Sequence, residues 1–220
     1  MSIPVPPVPS FPPAPFTLTS VKGLMAAGVK AGIKASGNPD VALLCADQPM
    51  SAAALFTQNH FAAAPVALSK SHLVRSHGQV RAVIINSGNA NACTGVQGEK
   101  DALEMCELVA KGLGCPVEQV LVCSTGVIGV KLPMDNVRAG IDLALKEKAN
   151  NVEAGRRFLS AIMTTDAYPK EACAQHGGAT IAGVCKGAGM IEPNMATMLA
   201  FMATDWDLRS EQLKRALPTI

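Results

Sequence analysis

From Val21 onward the chain alternates short apolar runs with glycine-marked turns. Six of those runs have the length of strands: residues 41–46, 53–57, 80–86, 120–124, 180–184 and 197–203. Between them, apolar positions recur at helical spacing. Over 98–113, Ala102, Cys106, Val109 and Leu113 share one face, Glu99, Lys100, Glu104, Glu107 and Lys111 lie largely elsewhere, and Gly112 and Gly114 mark the end. A second amphipathic stretch covers 133–148, with Pro133 suited to a first helical turn and Val137, Ile141 and Leu145 as its stripe. Two more span 152–163 and 208–217. Strands interleaved with helices predict an α/β fold, with a parallel or a mixed sheet equally compatible.

Composition narrows the function. Of the 220 residues 49% are apolar, enough for a substantial core. The balance of 19 basic against 17 acidic residues supplies no basic stripe, which argues against nucleic acid as a partner and for a small substrate. Residues 1–16 carry seven prolines and no charge, and read as an extended polyproline leader. They lack the basic start and unbroken apolar run of a signal peptide, and the arginines of a mitochondrial transit peptide. No uncharged apolar run approaches the roughly 18 residues of a bilayer span. The seven cysteines form no C-x-x-C pair and predict free thiols in a reducing compartment, with the cytoplasm as default. His60, His72, His77 and His176 have no metal-ligand spacing, so no metal is expected. The chain stops soon after its last amphipathic stretch, which reads as a break within a longer protein.

The densest chemical signal is KGAGMIEPNMATML at 186–199. Two glycines permit close backbone approach, Pro193 stiffens the turn, and Thr197 opens an apolar strand. Glu192 stands where a dinucleotide-binding pattern needs its third glycine, and 126–131 is not a phosphate loop. A threonine hydroxyl becomes a competent nucleophile when a base stands beside it. One such base is its own α-amine, freed by cleavage of the preceding bond; its pKa near 8 suits that work. Taken alone, Thr197 reads first as a β-branched residue at a strand start, and the nucleophile reading needs a further signal.

The segment from Lys186 to Asp205 resembles the self-cleavage region of the ornithine acetyltransferases, whose precursor splits before the threonine of an A-T-M-L sequence, here Ala196-Thr197-Met198-Leu199. Further stretches match that family in order: GLMAAGVKAG at 23–32, VIINSGNANACTG at 83–95, CSTGVIG at 123–129 and IMTTDAYPK at 162–170. The resemblance implies a DmpA/ArgJ-like self-processing α/β fold of layered sheets flanked by helices. It divides the chain into the leader, an alpha-chain domain at 17–196 and the start of a beta chain at 197–220.

The same resemblance implies Thr197 as nucleophile, cleavage between Ala196 and Thr197, Thr125 and Gly126 as oxyanion hole, and Thr164 and Lys186 as substrate contacts, with Thr165 the neighbouring competitor for Thr164. The Asn-rich stretch after Asn86 fits either turn structure or a pocket wall. The implied reaction moves acetyl from N-acetylornithine to glutamate through an acetyl-threonine, without a cofactor, in arginine biosynthesis. Some members also take acetyl from acetyl-CoA. The implied assembly holds two alpha and two beta chains. A self-processing amidohydrolase or aminopeptidase of similar architecture, or a non-catalytic assembly fragment, remain as alternatives.

Overall fold

The computed structural model describes residues 16–188 and 198–219. The chain runs β1 (Leu24–Val29), β2 (Val41–Ser51), α1 (Ala64–Arg75), β3 (Gln79–Asn89), α2 (Gly95–Leu113), β4 (Val120–Val127), α3 (Met134–Glu147), α4 (Val152–Ile162), β5 (Lys170–His176), β6 (Ala179–Lys186), β7 (Leu199–Thr204) and α5 (Ser210–Ala216). One sheet has the order β1-β2-β3-β4, antiparallel except for the parallel β3–β4 pair, across which α2 provides the crossover. The other is an antiparallel meander, β5-β6-β7. The expected α/β class holds, with a mixed first sheet.

The first sheet is buried on both faces, which is why its strands read as nearly unbroken apolar runs. Val41, Leu43 and Cys45 of β2 pack with Ile84, Val122 and the stripes of α2 and α3, while Ala42 and Leu44 pack with Ile85 and α4. Helix α4 lies between the two sheets. Its Phe158 meets Phe201 of β7 edge-on, with ring centroids 5.7 Å apart. Gly28 lets α4 approach β1, because a Cβ there would collide with the Arg157 carbonyl.

Helix ends follow local chemistry. Asn151 caps α4 by accepting from the Ala154 N–H at 2.8 Å. Gly114 closes α2 in the left-handed region, at φ 63°. Pro133 is the residue before α3 and not within its first turn.

Four segments depart from the pattern expected along the chain. Residues 53–57 form no strand. The apolar alternation there packs Ala54 and Phe56 against Leu73, Val80 and Leu121 instead of joining a ladder. Helix α1 was not legible because the side chains it buries include Ser69 and His72, so its inward stripe is partly polar. Strands β1 and β5 were also missed. The first is a short run broken by Gly28, and the second is a largely exposed edge strand, Lys170–His176, with mostly polar ends. The start of β7 falls at Leu199; position 197 and the leader at 1–15 lie outside the described residues.

The two buried polar groups of α1 protect an exposed flank of the fold. Strand β4 is an edge of the first sheet, and its unpaired backbone groups face α1. The Ser69 hydroxyl donates to the Val122 carbonyl at 2.7 Å and accepts from the Val122 N–H at 2.8 Å. His72 Nδ1 donates to the Val120 carbonyl at 2.8 Å. A Ser69→Ala change strands both Val122 groups in a buried site, and is expected to cost about 2–4 kcal/mol. Denaturant unfolding of wild type and variant measures it, and a difference near zero would contradict this role.

Candidate active site

The carboxyl ends of β3 and β4 meet the end of β6, and three of the residues singled out in the sequence gather there. Gly126 pairs with Gly88 across the parallel ladder. Its φ is +137°, and a Cβ at this position would collide with the Gly88 carbonyl carbon and the Asn89 nitrogen, so only glycine fits. Its neighbour Thr125 is buried.

The amides of the Asn-rich stretch are consumed within the protein. Asn86 Nδ2 donates to the Asn89 carbonyl at 2.8 Å and its Oδ1 accepts from the Ser124 hydroxyl at 2.6 Å. Asn89 Nδ2 donates to the carbonyls of Val130 and Lys131 at 3.0 and 3.1 Å, and Asn91 Nδ2 to that of Gly98 at 2.8 Å. These bonds fasten the end of β3 to the segment after β4 and to the start of α2, so Asn86 and Asn89 are strand residues and not part of a turn.

Lys186, at the end of β6, is 3% exposed and its Nζ donates to Thr125 Oγ1. An ammonium has protons to give and no lone pair, so Thr125 must accept here. Its own hydroxyl proton is thereby left for a different acceptor. Burial draws the Lys186 pKa down; Asp166 opposes that shift and Lys170 adds to it. Across the second sheet, Lys186 pairs with Leu199. Ala196 and Thr197 lie outside the described residues.

Thr164 follows the end of α4 and is exposed, as is Thr165. The Thr164 N–H donates to Asp166 Oδ2 at 3.2 Å, while Asp166 Oδ1 accepts from the Gly187 N–H at 2.8 Å and from Lys170 Nζ at 2.5 Å. Thr164 is therefore joined to the Lys186–Gly187 corner through one carboxylate. Asp166 lies beyond the carboxyl end of α4. Burial pushes its pKa up, but the Lys170 ammonium and the N–H groups of Gly187 and Thr164 outweigh that and hold it below the usual carboxylate range.

A second lysine reaches the same region. Lys34 Nζ donates to the carbonyls of Pro39 at 2.6 Å and Ala161 at 3.3 Å, and the Ser87 hydroxyl donates to the same Ala161 oxygen at 2.5 Å. The loop carrying Lys34 is held by buried Asp40, which accepts from the N–H groups of Ala31, Ile33 and Lys34. Burial lowers the Lys34 pKa, Asp40 opposes that shift, and Lys186 adds to it.

Sequence reasoning missed Lys34, Asp40, Asp166 and Lys170. The signal for Asp166 and Lys170 was their place inside IMTTDAYPK. Cys123, two residues before Thr125 on β4, does not compete as a nucleophile, since burial pushes its thiol up to about 12. All seven cysteines are free. Among the described residues no group of three His, Cys, Asp or Glu could hold a metal ion, and no helix is long and apolar enough to cross a membrane.

Comparison with known proteins places this geometry among relatives. A family model described as the ArgJ family matches residues 25–220, a span that includes every site residue named above. The chain is 46% identical over 206 residues to the arginine biosynthesis bifunctional protein ArgJ of Shouchella clausii, covering 91% of this chain and 49% of that protein. It is 48% identical over 200 residues to the protein of the same name from Geobacter sulfurreducens, covering 89% and 50%. The chain thus spans about half the length of the curated relatives it matches. Among solved structures, ornithine acetyltransferase from Mycobacterium tuberculosis complexed with ornithine superposes with a TM-score of 0.77 at 44% identity, covering 82% of this chain and 96% of that one. The arginine biosynthesis bifunctional protein from Bacillus halodurans gives 0.76 at 39%, covering 82% and 95%.

Proposed function

The chain belongs to the ArgJ family, and from that premise we propose that it is the nucleophile-bearing part of a glutamate N-acetyltransferase, which moves acetyl from N-acetylornithine to glutamate through an acetyl ester on Thr197. The observation that carries this reading is the Lys186–Thr125 hydrogen bond at the point where Lys186 pairs with Leu199. It sets the oxyanion donors beside the strand that follows the nucleophile. Position 197 is two residue steps from Leu199, at most about 7 Å when extended.

In this reaction Thr197 Oγ attacks the acetyl carbonyl carbon and its proton passes to its own α-amine. Charge collects on the carbonyl oxygen, where the Thr125 hydroxyl and the Gly126 N–H can donate. Collapse breaks the C–N bond, and the proton returns to the departing ornithine amine. The glutamate amine then attacks the ester through the same oxyanion, N-acetylglutamate leaves, and the threonine hydroxyl is restored. Lys34, Lys170 and Lys186 outnumber the carboxylates Asp40 and Asp166 around the site, a balance that suits substrates bearing an α-carboxylate.

The α-amine exists only after the Ala196–Thr197 bond has been cut. Thr164 is the favoured substrate threonine, because its N–H shares a carboxylate with Gly187. The mature enzyme would then be an assembly of two alpha and two beta chains.

Product analysis of the full-length protein given N-acetylornithine with and without glutamate tests the reading. N-acetylglutamate and ornithine should form in equal amounts and only when glutamate is present. Acetate release that ignores glutamate would favour the self-processing hydrolase, and no turnover at all would favour an assembly fragment. A parallel arm with acetyl-CoA as donor tests the second activity.

A further inference from the structure

Building on the acetyl-transfer reading, we propose that Asp166 is the positioning residue that ties the substrate loop to the nucleophile segment and holds the counter-charge for Lys186. Its side chain is only 1% exposed and draws two donors from its own loop and a third from the distant end of β6. These are the Thr164 N–H after α4, the Lys170 ammonium at the start of β5 and the Gly187 N–H just past β6. Loops are normally fastened by their own backbone or by water, so three converging donors on one enclosed carboxylate mark a built junction.

The junction acts at two levels. Geometrically, the Gly187 N–H belongs to the peptide that joins Lys186 to Gly187. Fixing its direction sets how the chain leaves β6 toward the cleavage segment, and keeps the Lys186 side chain on course to Thr125 Oγ1. Electrostatically, the charged groups acting on Lys186 include Asp166, Lys170 and, from the 31–40 loop, Lys34. Asp166 is the group among them that favours the ammonium form. Without its charge, Lys186 gives up its proton at lower pH, and Thr125 loses the charged donor that leaves its hydroxyl free for the oxyanion. Lys170 acts in the opposite sense: it crowds Lys186 with like charge and neutralises part of the Asp166 field.

Two substitutions therefore shift the enzyme in opposite directions. In full-length protein, Asp166→Asn preserves shape and removes charge. It should slow self-cleavage at least about tenfold, and move the alkaline limb of single-turnover acetylation down by roughly one pH unit. Lys170→Met should move that limb upward, and it also keeps the proposal testable if Asp166→Asn does not fold. A role confined to holding the loop moves neither limb. Wild-type protein that neither cleaves nor transfers would sink the acetyl-transfer reading and this one with it. A wild type that does both, beside a folded Asp166→Asn or Lys170→Met variant with a superimposable profile, overturns the Asp166 assignment alone.

Discussion

Replacing Thr197 by Ala in the full-length protein is expected to abolish both self-cleavage and acetyl transfer. In cleavage the hydroxyl attacks the carbonyl of Ala196, converting an amide to an ester that water then opens. In transfer the same oxygen takes the acetyl group while the α-amine holds its proton. Alanine removes the one atom common to both steps. Removal of a nucleophile on which turnover depends costs on the order of 10⁶ in kcat. Serine keeps the hydroxyl and should retain part of each activity. Gel mobility reports cleavage, and acetylornithine turnover reports transfer. Substantial transfer by the Ala variant would remove Thr197 from the site.

The Thr125→Ala variant should slow acetyl transfer by on the order of 10²–10³, equivalent to about 3–4 kcal/mol, by deleting one donor to the oxyanion. The effect belongs in the chemical step, because the ground-state carbonyl needs that hydrogen bond less than the tetrahedral intermediate does. Single-turnover acetylation of already cleaved enzyme isolates that step from slow maturation. The fold should survive, since β4 keeps its ladder to β3 and its bonds to Ser69 and His72. Lys186 would lose its acceptor but remain beside Asp166. An unchanged rate would assign Thr125 to turn structure.

The elements that were legible in the sequence are those whose buried face is apolar. Helices α2, α3 and α4 and strands β2, β3 and β4 carry the apolar positions that fill the two main clusters. Helix α1 escaped because Ser69 and His72 satisfy a sheet edge, a task that needs polar side chains pointing inward. Residues 53–57 misled because alternation signals one buried face without saying whether a ladder or only packing lies behind it.

The site divides in the same way. Thr125, Gly126, Thr164, Lys186 and Thr197 sit in motifs that resemble a known family, so their candidacy was visible. What was not visible is the set of contacts between distant segments: Lys186 with Thr125, Gly187 with Asp166, and Lys34 with Ala161. Such pairs arise when the sheets and α4 stack, and local pattern carries no trace of them. Family motifs pointed to Thr164 and Lys186 separately; only the folded chain reveals that one carboxylate joins their segments.

The central claim is that Thr197, freed by cleavage, carries the acetyl group. Intact-mass measurement of the full-length protein, before and after exposure to N-acetylornithine without glutamate, tests it most directly. Two chains should be found, the second beginning at Thr197, and exposure to the donor should add one acetyl group to that second chain, removed again when glutamate is supplied. A single uncleaved chain that transfers acetyl at full rate, or a stable acetyl group on any other residue, would contradict it.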